Sequence, residues 1–156
     1  MLKRIQTLYL DTSVIGGYYD GEFEEETVIL FEKIKLGQYN VVLSNITYDE
    51  LQNAPVRVKA VLEDIPQDRL KKIELTKEAT ELADSYIIAN VVGKTSRADC
   101  FHIAMATIYR ADILVSWNFK HIVNVNRIRG YNAINLQLGY SPIDIRSPKE
   151  IIYDEN

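Results

Sequence analysis

The sequence predicts an α/β protein, a three-layer α/β/α domain around a central, mainly parallel sheet. Short β-branched runs alternate along the chain with segments of helical period, which is the pattern of strand-helix-strand units. A chain of 156 residues, 47% hydrophobic and 26% charged, is also long and apolar enough to bury one sizeable core. No repeat, low-complexity tract or shift of composition divides it, so residues 1–156 read as a single domain.

Residues 5–10 are a short apolar run bounded by polar residues and read as the first buried strand. Residues 24–36 carry Val28, Leu30, Phe31 and Ile34 at roughly helical spacing, with Gly37 placed as a stop. Residues 39–43 form a second β-branched run, and the strand-helix-strand order favours a parallel pair. Ser44 or Asn45 then caps a helix through Glu50 and Leu51, and Pro55 suits the first turn of another helix ending near Asp64.

Residues 71–75 read as a short extended piece. Residues 76–88 form a helix: Thr76 can cap it, and Ala79, Leu82, Ala83, Tyr86 and Ile87 make one stripe. A further helix spans residues 96–110, and residues 112–116 read as another buried strand. A helix over residues 124–137 stops at Gly139, and residues 143–146, near Pro142 and Pro148, suit a last, edge strand.

The bulk properties narrow the class. A net charge of -4 argues against the broad basic face of a nonspecific nucleic-acid binder, although a metal-filled acidic site inverts the local charge. Cys100 is the only cysteine, so no intramolecular disulfide forms and a reducing compartment is the default. The first seven residues are too polar for a secretory signal, and no apolar run approaches membrane-spanning length. The expectation is a soluble, cytoplasmic protein with no membrane contact.

Three acids stand against apolar sequence. Asp11 ends the first strand in Leu8-Tyr-Leu-Asp-Thr-Ser-Val14, and the carboxyl end of a strand is where ligands bind in open α/β sheets. It is equally suited to cap the following turn. Glu50 follows the second strand by six residues, with Asp49 beside it as an alternative inward acid. Asp99 lies in the first turn of its helix, where the dipole alone favours a carboxylate. Asn118 follows the last core strand by two residues.

Carboxylates brought within a few ångströms repel one another unless a cation separates them. A hard divalent ion, Mg²⁺ or Mn²⁺, is the economical solution, and phosphodiester hydrolysis is the reaction class that follows. Leu-Asp-Thr-Ser-Val, a later Ser before a helix carrying Glu-Leu, then Asp-x-x-His-Ile-Ala-x-Ala, then Asp-x-Leu-Val-Ser-Trp-Asn-Phe-Lys-His occur in this order. Together they resemble a PIN domain over nearly the whole chain.

That family consists largely of Mg²⁺- or Mn²⁺-dependent ribonucleases, many of them VapC-like toxins of type II toxin-antitoxin pairs. The resemblance implies that Asp11, Glu50, Asp99 and Asn118 form the catalytic and metal-binding set. It also implies an RNA substrate, a small antitoxin partner and a homodimer. Asn118 stands where the family often has an aspartate, so it offers an amide oxygen without charge.

Thr12 and Ser116 fall at positions that commonly carry small hydroxyl residues. Tyr18 and Tyr19, in the loop after Asp11, suit base stacking or a partner surface. Lys120 and His121 suit the rim, while His102 reads as a hydrogen-bonded core or near-surface histidine outside the site.

Two rival classes remain. One is a phospho-acceptor receiver domain, which wants paired acids after its first strand and an acceptor aspartate after a middle strand. Asp11 is single here, and Val41-Val-Leu-Ser44 offers no acceptor. The other is a catalytically weak or inactive PIN-fold module that binds RNA or protein.

Overall fold

The computed structural model describes residues 4–153. Five strands make one sheet: β1 (Thr7–Leu10), β2 (Asn40–Ser44), β3 (Leu70–Ile73), β4 (Ile113–Val115) and β5 (Asp144–Arg146). The order across the sheet is β3-β2-β1-β4-β5, and every pairing is parallel. The sequence predicts a mainly parallel sheet, and among the described residues the sheet is wholly so.

Between the strands lie α1 (Thr12–Gly17), α2 (Glu24–Lys35), α3 (Asn45–Glu50), α4 (Val56–Ala60), α5 (Lys77–Ile88), α6 (Arg97–Tyr109), α7 (Val125–Gln137) and α8 (Pro148–Ile152). Alternation along the strands divides the core in two. Leu8, Leu10, Val41, Leu43, Ile113 and Val115 pack with Val14, Ile15, Leu30, Phe31, Ile34 and Ile151 on one face. Tyr9, Val42, Leu114 and Ile145 pack with Leu82, Ala83, Tyr86, Ile103 and Tyr131 on the other. The three layers follow directly, because each face of a parallel sheet needs a helical cover.

Local chemistry bounds several of the helices. Thr76 accepts the Ala79 N–H at 3.1 Å to start α5, and Asn124 accepts the Arg127 N–H at 3.2 Å to start α7. Gly139, just past α7, has φ of +90°, a conformation that a side chain strains. Helix α6 is buried on several faces, at Cys100, His102, Ile103, Ala104, Met105, Ala106 and Thr107, because it lies between the sheet and α5.

Some elements differ from the sequence reading. The first strand starts at Thr7 rather than residue 5, and Asp112 closes its entrance by accepting the Thr7 N–H at 2.7 Å. Pro55 is the N-cap of α4 rather than a first-turn residue, and a 3-10 segment continues that helix over Val61–Asp64. Pro148 does not border an edge strand alone. It opens α8, which Ser147 and Glu150 start with a reciprocal capping box.

The strand order fixes where a ligand fits. From β1 the chain runs to β2 on one side and later returns through β4 on the other, so the crevice at their carboxyl ends is the topological switch point. Asp11 leaves β1 into that crevice, and Ser116 leaves β4 beside it.

Candidate functional site

The floor of the crevice is Asp11, only 4% exposed. Its Oδ1 accepts the Ser13 hydroxyl at 2.6 Å and the Val14 N–H at 3.2 Å, and its Oδ2 accepts the Ser116 hydroxyl at 2.5 Å. One oxygen thus caps α1, so capping and a place in the site are not alternatives here. Burial pushes the Asp11 carboxyl above the ordinary range, against the opposing pull of His102 and of the Ser116, Ser13 and Val14 donors.

Glu50 sits at the rim, where its side chain is 39% exposed. Helix α3 begins at Ser44, whose hydroxyl accepts the Thr47 N–H at 3.4 Å, and ends at Glu50, so the helix projects the acid beyond the sheet edge. Glu50 Oε1 accepts the Thr12 hydroxyl at 2.7 Å and lies 2.7 Å from His102 Nε2. Burial alone would raise this carboxyl, but the His102 contact and the Thr12 hydroxyl hold it below the ordinary range. Glu50 is therefore ionised at neutral pH.

Asp99, from the first turn of α6, completes the acidic group. Burial pushes its carboxyl up, His121 and His102 oppose that, and the charges of Asp11 and Glu50 add to it. Among the described residues no hydrogen-bond donor reaches it. The three acids named from the sequence come from three separate elements, and each of the other two acts on Asp99.

Asn118 is placed differently. Its Oδ1 accepts the backbone N–H of Lys120 at 3.2 Å and of His121 at 3.0 Å, so both lone pairs serve the turn that follows β4. Its own N–H donates to Ser116 Oγ at 2.9 Å, which ties the turn to the hydroxyl holding Asp11.

The sequence reading left His102 outside the site, and the structure puts it against Glu50. His102, 3% exposed, also lies 2.7 Å through Nδ1 from the Tyr9 hydroxyl, which is 2.8 Å from Ser44 Oγ. A chain of Ser44, Tyr9, His102 and Glu50 therefore runs from the sheet interior to the rim. The signal was present in the sequence: residues three apart share a helix face, so a helix that presents Asp99 presents His102 beside it. Cys100 is buried and its thiol is pushed up to about 12 by burial first and by Asp99 and Asp84, which makes it an inert filler.

An aromatic group borders the acids. Trp117 donates its backbone N–H to Ser13 Oγ and its indole N–H to Thr27 Oγ1, both at 2.9 Å. It stacks on Phe23 with centroids 4.3 Å apart. A Cβ on Gly17 would lie 2.8 Å from the indole nitrogen and 3.0 Å from Thr27 Oγ1, so Gly17→Ala displaces the indole. We expect this substitution to destabilise the fold by about 1–3 kcal/mol. A thermal melt followed by Trp117 fluorescence checks it, since this is the only tryptophan.

The residues can be tested against the divalent ion that the family resemblance implies. The donor set is all oxygen, and Asp99 is a half-buried carboxylate with no hydrogen bond among the described residues and two like charges acting on it, which suits a hard cation. Among the described residues, however, no three His, Cys, Asp or Glu side chains stand together as ligands of one ion. Glu50 is engaged by His102 instead. The chemistry fits the ion, and the ligand set is not preassembled.

Known proteins share this fold. The solved structure of FitAcB from Neisseria gonorrhoeae matches with a TM-score of 0.58 at 16% identity, covering 91% of this chain and 98% of that one. VapBC2 from Rickettsia felis, bound to a DNA fragment from their promoter, matches with a TM-score of 0.55 at 14% identity and the same coverages, 91% and 98%. At these identities the likeness is one of fold. No curated protein gives a significant sequence match. A PIN domain family model matches residues 8–120, a span that opens in β1 and closes just past Asn118, and the chain belongs to the PIN domain family.

Proposed function

We propose that this protein is a divalent-metal-dependent endoribonuclease, the toxin of a toxin-antitoxin pair. The observation that carries the reading is a PIN fold with Asp11 at the floor of its switch-point crevice and with the charges of Asp11 and Glu50 both acting on Asp99. In this proposal the three acids hold Mg²⁺ or Mn²⁺. The ion would supply an activated water and charge stabilisation for attack on phosphorus.

The chain's own residues prepare that site. Ser13, Ser116 and the Val14 N–H orient the Asp11 carboxylate, and Thr12 and His102 keep Glu50 ionised at neutral pH. Asn118, with its oxygen engaged in the turn, enters the proposal as the residue that shapes the segment carrying Ser116, while its remaining N–H₂ group is free to face substrate.

The partners are part of the same proposal: an antitoxin that covers the acids, and a second copy of this chain. The names of the matched VapBC2 and FitAcB structures support the antitoxin. Among the described residues no helix is long and apolar enough to cross a membrane, and a cytoplasmic location accords with the proposal.

The test is an assay on mixed RNA with purified protein in Mg²⁺ or Mn²⁺, with a chelator and with Asp99→Asn as controls. Cleavage that needs both the metal and Asp99 supports the reading; equal cleavage in chelator sinks the metal mechanism. The engaged oxygen of Asn118 and the unassembled ligand set favour a second reading, a PIN fold that binds without hydrolysing. Calorimetric titration with Mn²⁺ separates the two, because the binding-only form takes up no ion tightly.

A further inference from the structure

We propose that Phe119 is a base-stacking residue for the RNA substrate, one base of which lies on the Phe119 ring beside the phosphodiester held at the acids. The inference rests on the ribonuclease reading and deepens it.

Phe119 is 49% exposed and directly follows Asn118. Its place is fixed rather than loose. The backbone of its turn is held by the two N–H groups on Asn118 Oδ1, and the Tyr131 hydroxyl donates to the His121 carbonyl at 2.7 Å. Its ring meets the edge of Trp117, centroids 6.0 Å apart at 67°, and lies 6.3 Å from Phe23. Trp117 in turn donates to Ser13, which donates to Asp11. The ring is thus coupled through two hydrogen bonds and one ring contact to the acid at the floor of the crevice.

Tyr19, 43% exposed and just past α1, is another exposed aromatic, but its ring is already covered by the Arg57 guanidinium at 5.0 Å. No cation covers Phe119 among the described residues. A half-exposed aromatic ring of fixed orientation offers a surface on which a nucleobase can stack.

The charge of the protein favours such a contact. A net charge of -4, with a site built from acids, argues against a broad basic face that would draw a polyanion. Contacts that do not depend on charge then gain weight in binding, and stacking is the one that Phe119 can make. Exposed Lys120, next in sequence, adds a single point charge for a neighbouring phosphate. A duplex keeps its bases stacked on one another, so this ring selects an unpaired base.

The experiment uses the full chain carrying Asp99→Asn, in Mg²⁺, so that bound RNA is not cut. Fluorescence anisotropy follows a labelled single-stranded RNA, and Trp117 emission reports on the ring cluster. Phe119→Ala should weaken binding by about 10- to 100-fold, Phe119→Tyr should retain it, and the loss should persist at high salt. An RNA with one abasic position near the scissile bond should lose affinity for the Phe119 protein and lose little more for Phe119→Ala.

Thermal melts of both variants confirm that they fold. Equal binding by Phe119 and Phe119→Ala, or the same abasic penalty in both, overturns the proposal and leaves the ring as a protein contact. If RNA is bound and cut but Phe119 is indifferent, the stacking role alone falls; if the protein neither binds nor cuts RNA, the ribonuclease reading falls with it.

Discussion

Asp99→Asn is expected to lower RNA cleavage by at least about 100-fold while making the metal-free protein slightly more stable. Most substitutions that remove activity also remove contacts, and this one does not. Asp99 accepts no hydrogen bond among the described residues, so the amide breaks none. What it removes is a carboxylate whose ionised form burial disfavours first, with Asp11 and Glu50 adding to the penalty.

The sign of the stability change follows from linkage. The folded-state carboxyl lies above its unfolded value, so its favourable contribution is complete below the unfolded value, near pH 4, and is lost as pH rises through the folded value. At neutral pH the ionised Asp99 therefore destabilises the metal-free fold. Because the group is partly open to solvent, the gain on substitution is small, about 1–3 °C in Tm.

Melting curves of the two proteins between pH 4 and pH 8 should converge at the acid end and separate toward neutrality. Added Mn²⁺ should reverse the order, raising the Tm of the parent protein and leaving Asp99→Asn little changed. A variant less stable than the parent at neutral pH, or equally responsive to Mn²⁺, would falsify the placement of Asp99 among the ligands. Asp11→Asn should also remove activity, but it is a poorer control because Asp11 holds three donors that fix the loops around it.

The contrast between Asp99 and Asn118 shows what the sequence could and could not reveal. The α/β pattern was legible because β-branched runs and helical stripes report local periodicity, and the ends of β2, β4 and α7 fall within a residue or two of the expected places. The lateral order of the strands was not legible, since nothing in residues 112–116 says that β4 lies against β1. That order is what makes the ends of these two strands one site.

Asp11, Glu50 and Asp99 stood out as acids against apolar sequence, but it was the order of the family's motifs that selected them, and only that register picked Glu50 over Asp49. Asn118 could be named but not oriented. Asparagine commonly accepts N–H groups two or three residues ahead, and Asn118 does so with Lys120 and His121. His102 was passed over because its neighbours are apolar and its partners, Tyr9 and Glu50, are remote in sequence. Short α1 and α8 carry too few residues for a periodic signal, although the Ser147-Pro-Lys-Glu150 cap of α8 is a readable start.

The chain from Ser44 through Tyr9 and His102 to Glu50 yields the second large effect. With Glu50 ionised, His102 Nε2 donates to it, and Nδ1 is paired with the Tyr9 hydroxyl. Tyr9→Phe removes the one oxygen that serves both His102 and Ser44, leaving two buried polar groups short of a partner. The cost is expected to be about 2 kcal/mol, which lowers Tm by about 4–8 °C in a domain of this size.

His102→Ala acts on chemistry as well. It deletes the largest influence that lowers the Glu50 carboxyl, so burial is opposed only by Thr12 and the acid rises toward or above its ordinary range. In the parent, stability linked to Glu50 is present above its unfolded value and lost as pH falls through its depressed folded value; in His102→Ala that contribution vanishes, and it turns unfavourable at neutral pH once the folded value lies above the unfolded one.

Cleavage should fall about 10- to 100-fold, the range found when a group that orients a metal ligand is removed. The acid limb of the pH-rate profile should move to higher pH. A histidine that merely fills space would lower activity in proportion to folded protein and leave that limb in place. Tyr9→Phe, which keeps the imidazole beside Glu50, should lose stability with the acid limb much less displaced. The pair of variants therefore separates the packing role of the buried chain from its action on the rim carboxylate.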